Sequence, residues 1–204
     1  MKTCLKDFTK GIVVSNPLFV LVLGLCPAMA VTIGIDRSIA YAGGLAFVLV
    51  GSSIIISLIR KIVPNMVRIP VFIVIIATLV TIVDLTFEAY IQEMWILLGI
   101  YLPLLTTNCI VLGRAEVFSS KNSCSRSIAD SLGMTAGFAI AMLLVTIPRQ
   151  LLGTGVIEWF GNELVSLPVL SEQPIAILVK PPGAFLVIGL LYGLLTRLGV
   201  TKSG

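Results

Sequence analysis

Six apolar runs decide what this chain can become. They extend over about Ile12–Ile35, Ile39–Ile59, Ile69–Phe87, Met94–Leu112, Ile128–Ile147 and Ala176–Leu195. A helix needs about 18 or more apolar residues to cross a bilayer, and these runs reach or approach that length. With 57% hydrophobic and only 12% charged residues, the chain has too few charges to cover a soluble fold, where about 25% is usual. The mean hydropathy of +1.09 agrees. The expected fold is an all-α integral membrane protein with six transmembrane helices. All 204 residues form one membrane domain in that reading, with a long outer loop over about 149–179.

The basic residues orient the spans. With the N-terminus inside the cell, Lys2, Lys6, Lys10, Arg60, Lys61, Arg68, Arg114, Lys121, Arg126, Arg197 and Lys202 fall inside. Arg37, Arg149 and Lys180 fall outside. This asymmetry is the positive-inside pattern. It predicts a bacterial cytoplasmic (inner) membrane protein with both termini cytoplasmic. Trp95 and Trp159 both land outside, as interfacial aromatics do. The segments Ile157–Phe160 and Leu164–Val165 in the outer loop are expected to form a short helix on the membrane surface. No basic stripe with interleaved aromatics lies outside the spans, so nucleic acid is excluded as a partner. With no histidine in the chain, histidine-based metal sites and catalysis are excluded too.

The N-terminus has two competing readings. Ala28-Met29-Ala30 has the shape of a signal-peptidase site, but cleavage there would remove a span and invert the charge pattern. Leu23-Gly24-Leu25-Cys26 faintly resembles a lipoprotein box, but Leu25 is too large for the residue before the cysteine. The first run is therefore expected to stay as a span.

The chain repeats itself. Arg37-Ser38-Ile39-Ala40 opens the second run and Arg126-Ser127-Ile128-Ala129 the fifth. At the same offset Gly44 meets Gly133 and Arg60 meets Arg149. Arg68-Ile69-Pro70 and Lys180-Pro181-Pro182 open the third and sixth. Two halves, about 12–88 and 94–196, each with three spans, must enter from opposite faces. The expectation is an inverted repeat with its site at interrupted helices near the midplane.

Cys26 and Cys109 sit at matching depth in the first and fourth spans. At a rise of 1.5 Å per residue each lies about 20 Å along its run, near the middle of a ~30 Å core. Helix breakers flank both: Gly24 and Pro27 on one side, Pro103 and Thr106-Thr107-Asn108 on the other. Each cysteine is thus expected at the N-terminus of a half-helix, in spans broken at the midplane. Free N–H groups there favour a thiolate. The plain alternative is that both are small apolar residues with no role. A disulfide needs an oxidising setting. Two thiolates supply half the ligands of a [2Fe–2S] cluster, the rest coming from another subunit. Cys4 and Cys124 fall on the inner side without ligand spacing and read as free thiols.

Several strings resemble one family. They are Leu23-Gly24-Leu25-Cys26-Pro27 with Ala30-Val31-Thr32, and Asn108-Cys109-Ile110-Val111-Leu112-Gly113-Arg114-Ala115-Glu116. Arg68-Ile69-Pro70 and Ser131-Leu132-Gly133-Met134 add to them. The family is the integral membrane subunits shared by the Rnf complex and the sodium-pumping NADH:quinone oxidoreductase. The resemblance covers nearly the whole chain, least clearly over 156–179. Ser120-Lys121-Asn122 is more similar to the E-type component of Rnf than to the D-type component of the quinone reductase. The resemblance implies a six-helix electron-transfer subunit paired with a homologous subunit of opposite topology, similar to the A-type component of Rnf. Each of the two would give two cysteines to one intramembrane [2Fe–2S] cluster, here Cys26 and Cys109. The complex would couple electron flow between ferredoxin and NAD to ion transport.

Two other classes remain open on the residues. One is an inverted-repeat secondary transporter that binds an anion at the broken helices. The other is a scaffold with silent cysteines. Arg114 and Glu116 read as solvated loop charges rather than a pair. Asp84 and Glu88 lie close enough to the outer interface to be hydrated.

Overall fold

The computed structural model describes residues 16–154, 156–159, 162–166 and 176–197. Cys4, the N-terminal lysines and Lys202 lie outside them. Helix α1 covers Leu25–Val31 and α2 covers Ile35–Ile59. Helix α3 is Arg68–Tyr90, α4 is Gln92–Leu98, α5 is Cys109–Arg114 and α6 is Cys124–Thr154. A hairpin of β1, Val156–Trp159, and β2, Asn162–Ser166, comes next. Helices α7, Ala176–Val179, and α8, Pro181–Arg197, close the described chain.

Helices α2, α3 and most of α6 are long and apolar enough to cross a membrane, with mean hydropathies of 2.3, 2.5 and 1.8 over their spanning windows. Helix α4 and the stretch Pro103–Ser119 that contains α5 pass the same test together, bent by 64°, the geometry of a broken span or a re-entrant loop. Large apolar side chains such as Met66, Leu190 and Leu58 are exposed on the surface. In water that surface would drive aggregation; in a bilayer it meets lipid or protein. The chain is a multi-pass membrane protein.

Helices α2 and α6 form the centre and make the most extensive helix pair. Apolar side chains gain little from packing inside lipid, so hydroxyls supply specific links. Ser38 and Thr146 hydroxyls lie 2.8 Å apart, and those of Ser53 and Ser131 2.6 Å. The first rung is early in α2 and late in α6, and the second is the reverse. The two helices are therefore antiparallel. Ser119 adds its hydroxyl to Ser53 at 3.1 Å.

The outer loop departs from expectation in two ways. Helix α6 runs through Pro148 to Thr154, well past the expected end at Ile147. The segment expected as a surface helix is an antiparallel hairpin, with Val156 opposite Ser166 and Trp159 opposite Asn162. Val156, Ile157, Trp159 and Val165 favour extended chain, which outweighs the weak helical reading. A two-stranded ribbon has open edges that hydrocarbon cannot satisfy, so it belongs outside the membrane core.

Candidate functional site

Short helices start next to both cysteines, as expected, and the two starts are built differently. Residues 16–24, expected as the first half of a span, are turn and irregular chain, and the rest of that half lies outside the described residues. Before α1, Val22 has φ 54° and Gly24 φ 75°. Gly24 starts α1 from this left-handed conformation without a side-chain cap. A Cβ there would lie 2.6 Å from Ile110 Cδ1 and 3.0 Å from Phe138 Cε2. Glycine is thus favoured by the left-handed conformation, and an added Cβ would also have to displace the tip of Ile110. Cys26 follows in the first turn, and Pro27 sits where its missing N–H costs nothing. Upstream, Asn16 Oδ1 accepts from the N–H groups of Leu18 and Phe19, at 3.0 and 3.2 Å. Its Nδ2 donates to the Gly137 carbonyl of α6 at 3.0 Å.

Two short 3₁₀ turns, Gly99–Tyr101 and Pro103–Leu105, separate α4 from α5. Asn108 is the N-cap of α5: its side chain accepts from the Ile110 N–H at 3.0 Å. Its Nδ2 donates to the buried Tyr41 hydroxyl of α2 at 3.3 Å. Cys109 is the first residue of α5. Helix α5 continues into a π-helical turn, Ala115–Ser119.

Tertiary packing brings the two breaks together. Gly24 packs on Ile110, next to Phe138 at about the middle of α6. Cys26 and Cys109 line one cavity of about 90 Å³, with Gly24, Pro27, Leu104, Thr107 and Asn108. Both thiols are free and exposed on the surface of the chain. Among the described residues no group of three or more Cys, Asp or Glu could hold a metal. The cavity therefore offers two sulfur ligands and an open side. Cys124 is a half-buried free thiol at the start of α6, away from the cavity lining.

From this meeting point α1 and α5 run to opposite ends of the molecule. Beyond α5, the Asn122 carbonyl accepts from Arg60 and, at 3.1 Å, from Ser57, both at the end of α2. Arg126 donates to Asn122 Oδ1 at 3.2 Å. The basic loops after α2 and after α5 thus share one end. At the other end, α1 terminates against Arg149 of α6.

Arg149, which the sequence reading placed at the start of the long outer loop, is instead part of α6. It is 1% exposed. Nε donates to the Leu178 carbonyl at 2.8 Å, and Nη2 to Val179 and Lys180 at 3.0 and 3.1 Å. Nη1 donates to the Met29 carbonyl and the Thr32 hydroxyl, both at 2.7 Å. The continuation of α6 past Pro148 carries it inward. Only the repeat match with Arg60 hinted at a built position.

Two further expectations change. Arg114 is not a solvated charge: it pairs with Asp130 of α6 at 2.7 Å, with side chains 14% and 4% exposed. Glu116 pairs with Arg68 of α3 at 3.2 Å. Both partners lie on other helices, out of reach of a reading by sequence neighbourhood. Asp84 accepts from the Trp95 indole N–H at 3.1 Å, and Glu88 is exposed.

Residues 4–192 match the family model described as "Rnf-Nqr subunit, membrane protein". The chain belongs to the Rnf-Nqr family of membrane subunits. It is 46% identical over 187 residues to the E-type component of the ion-translocating oxidoreductase complex of Methanosarcina acetivorans, covering 92% of this chain and 87% of that one. It is 42% identical over 191 residues to the E-type component of the Na(+)-translocating ferredoxin:NAD(+) oxidoreductase complex of Acetobacterium woodii, covering 94% and 95%. The corresponding E-type component from Pseudoalteromonas atlantica is 40% identical, covering 89% and 82%. The Rnf-Nqr match includes both cysteines, both breaks and Arg149.

Proposed function

We propose that this chain is the E-type membrane component of an ion-translocating ferredoxin:NAD oxidoreductase complex, in which Cys26 and Cys109 hold half of an intramembrane [2Fe–2S] cluster. The observation that carries the reading is their shared cavity, open on one side, between two broken spans. The names of the E-type relatives support the complex. The donor set fits: thiolates are the usual ligands of such clusters, and two of the four are here. A thiolate facing lipid is costly, so the exposed thiols call for a second chain to cover them and complete the set. A homologous subunit of opposite topology would do so.

When bound, the cluster supplies one-electron transfer across the middle of the membrane. The chain's own part is to hold two sulfurs in place. Gly24 lets the backbone turn tightly enough for Cys26 to face the cavity that Cys109 lines. Asn108, itself held by Tyr41, fixes the first turn that carries Cys109. Helices α1 and α5 are only seven and six residues long. Their help to a thiolate is thus confined to the free N–H groups of the first turn.

The same reading takes the fold as two inverted three-span halves. The antiparallel α2–α6 pair and the opposite courses of α1 and α5 support it. The end where Arg60, Arg68, Arg114 and Arg126 gather is then cytoplasmic, in the bacterial inner membrane.

The test is iron and acid-labile sulfide content, with EPR of the dithionite-reduced complex. A [2Fe–2S] signal present in the native complex and lost in both Cys26→Ser and Cys109→Ser supports the reading. A signal that survives either substitution overturns it and leaves an anion-binding transporter or a scaffold.

A further inference from the structure

Helix α1 is short, ends deep in the protein and carries one of the two cavity cysteines. Val31 and Thr32 at that end are buried, so its C-terminal carbonyls need partners within the protein. The start of α8 has the same difficulty. In a continuous helix the Leu178 carbonyl would accept from the N–H of residue 182, but Pro182 has none. The Gly183 N–H goes instead to the Lys180 carbonyl at 3.0 Å, leaving Val179 without its helical donor. Five guanidinium bonds meet these needs at once: Leu178, Val179 and Lys180 on one side, Met29 and Thr32 on the other. Thr32 passes its own proton back to the Ala28 carbonyl. Every partner of Arg149 given by the structure is a carbonyl or a hydroxyl, and none is a carboxylate.

We infer that Arg149 is a positioning residue for Cys26: its planar fork clamps the far end of α1 to the α7–α8 break and so fixes the depth and tilt of the turn that presents the thiol. It acts through geometry rather than charge alone. The counterpart in the other half is Arg60, which holds the Asn122 carbonyl beyond α5. Arg60 lies on the Cys109 side and serves as an internal control. The consequence for electron transfer rests on the proposed cluster, but the clamp itself does not.

The experiment uses the full chain in isolated membranes, expressed without its partners, and N-ethylmaleimide as the probe. Alkylation rates at Cys26 and Cys109 are read separately by mass spectrometry. Arg149→Met and Arg149→Lys should each change the Cys26 rate by about tenfold through local opening, with Cys109 unchanged. Lysine keeps the charge but offers one nitrogen instead of a fork. Arg60→Met should leave Cys26 unchanged. In the assembled complex, Arg149→Lys should alter the EPR line shape of the cluster while iron content stays near native. If Arg149→Met does not fold, Thr32→Val keeps the arginine, removes one bond to α1, and should shift the Cys26 rate by about threefold.

Wild-type rates in Arg149→Lys would overturn the inference, since charge alone would then suffice. Equal changes at both cysteines would overturn it as well, since the effect would be general loosening. A native complex without an iron signal would sink the cluster and leave the alkylation result standing on its own.

Discussion

The starts of the short helices α1 and α5 bring a cysteine to the same cavity by unlike means. The first break is made by backbone conformation. Gly24 adopts φ 75°, has no capping side chain, and would press a Cβ onto the tip of Ile110. The second is made by side-chain hydrogen bonds, with Asn108 capping α5 and held in turn by Tyr41. A break made by backbone conformation strains any residue with a side chain. A break made by hydrogen bonds can lose them one at a time. The far ends differ too: α1 stops against two of the five bonds made by one buried arginine, whereas the chain beyond α5 meets Arg60 and Ser57 at a basic end.

That contrast sets an order of effects. Gly24→Ala should be the most damaging, because it adds a clash to a left-handed residue. The two costs together are on the order of 2–5 kcal/mol. Thermal unfolding in detergent should show a large loss of stability, and a near-native midpoint would mean that the first break is not held by shape. Asn108→Ala should cost less, about 1 kcal/mol for the lost cap, with Asn108→Asp recovering most of it because a carboxylate oxygen also accepts from the Ile110 N–H. Failure of aspartate to recover stability would move the importance of Asn108 from the cap to Tyr41. Tyr41→Phe should have the smallest effect, about 0.5 kcal/mol for one hydrogen bond, read by the same unfolding measurement. A larger loss would mean that the hydroxyl, and not the cap, organises the second break.

Much of the site could be read along the chain. Gly24, Pro27, Pro103 and Asn108 are breakers and cappers whose effect is local, so the helix starts beside Cys26 and Cys109 were expected where they are found. Cys26 and Cys109 were singled out for lying beside them. Arg149 was not understood, because after Pro148 it reads as the start of a loop. Arg114 was assigned to solvent, and its partner Asp130 lies on the next helix. The hairpin after α6 was missed because a few β-branched and aromatic residues carry little periodicity of either kind.

Residue order alone settles that the chain lives in a membrane, where two of its apolar runs break, and to which family it belongs. These follow from hydropathy, charge, helix-breaking chemistry and residue identity, all of which act along the chain. Folding in three dimensions was needed to bring the two breaks to one cavity, to send α1 and α5 away from it in opposite directions, and to bury Arg149 among carbonyls. Those outcomes rest on partners far apart in sequence, such as Gly24 with Ile110 and Arg149 with Thr32. Buried donors and acceptors must be paired wherever packing puts them, and packing is a property of the whole fold.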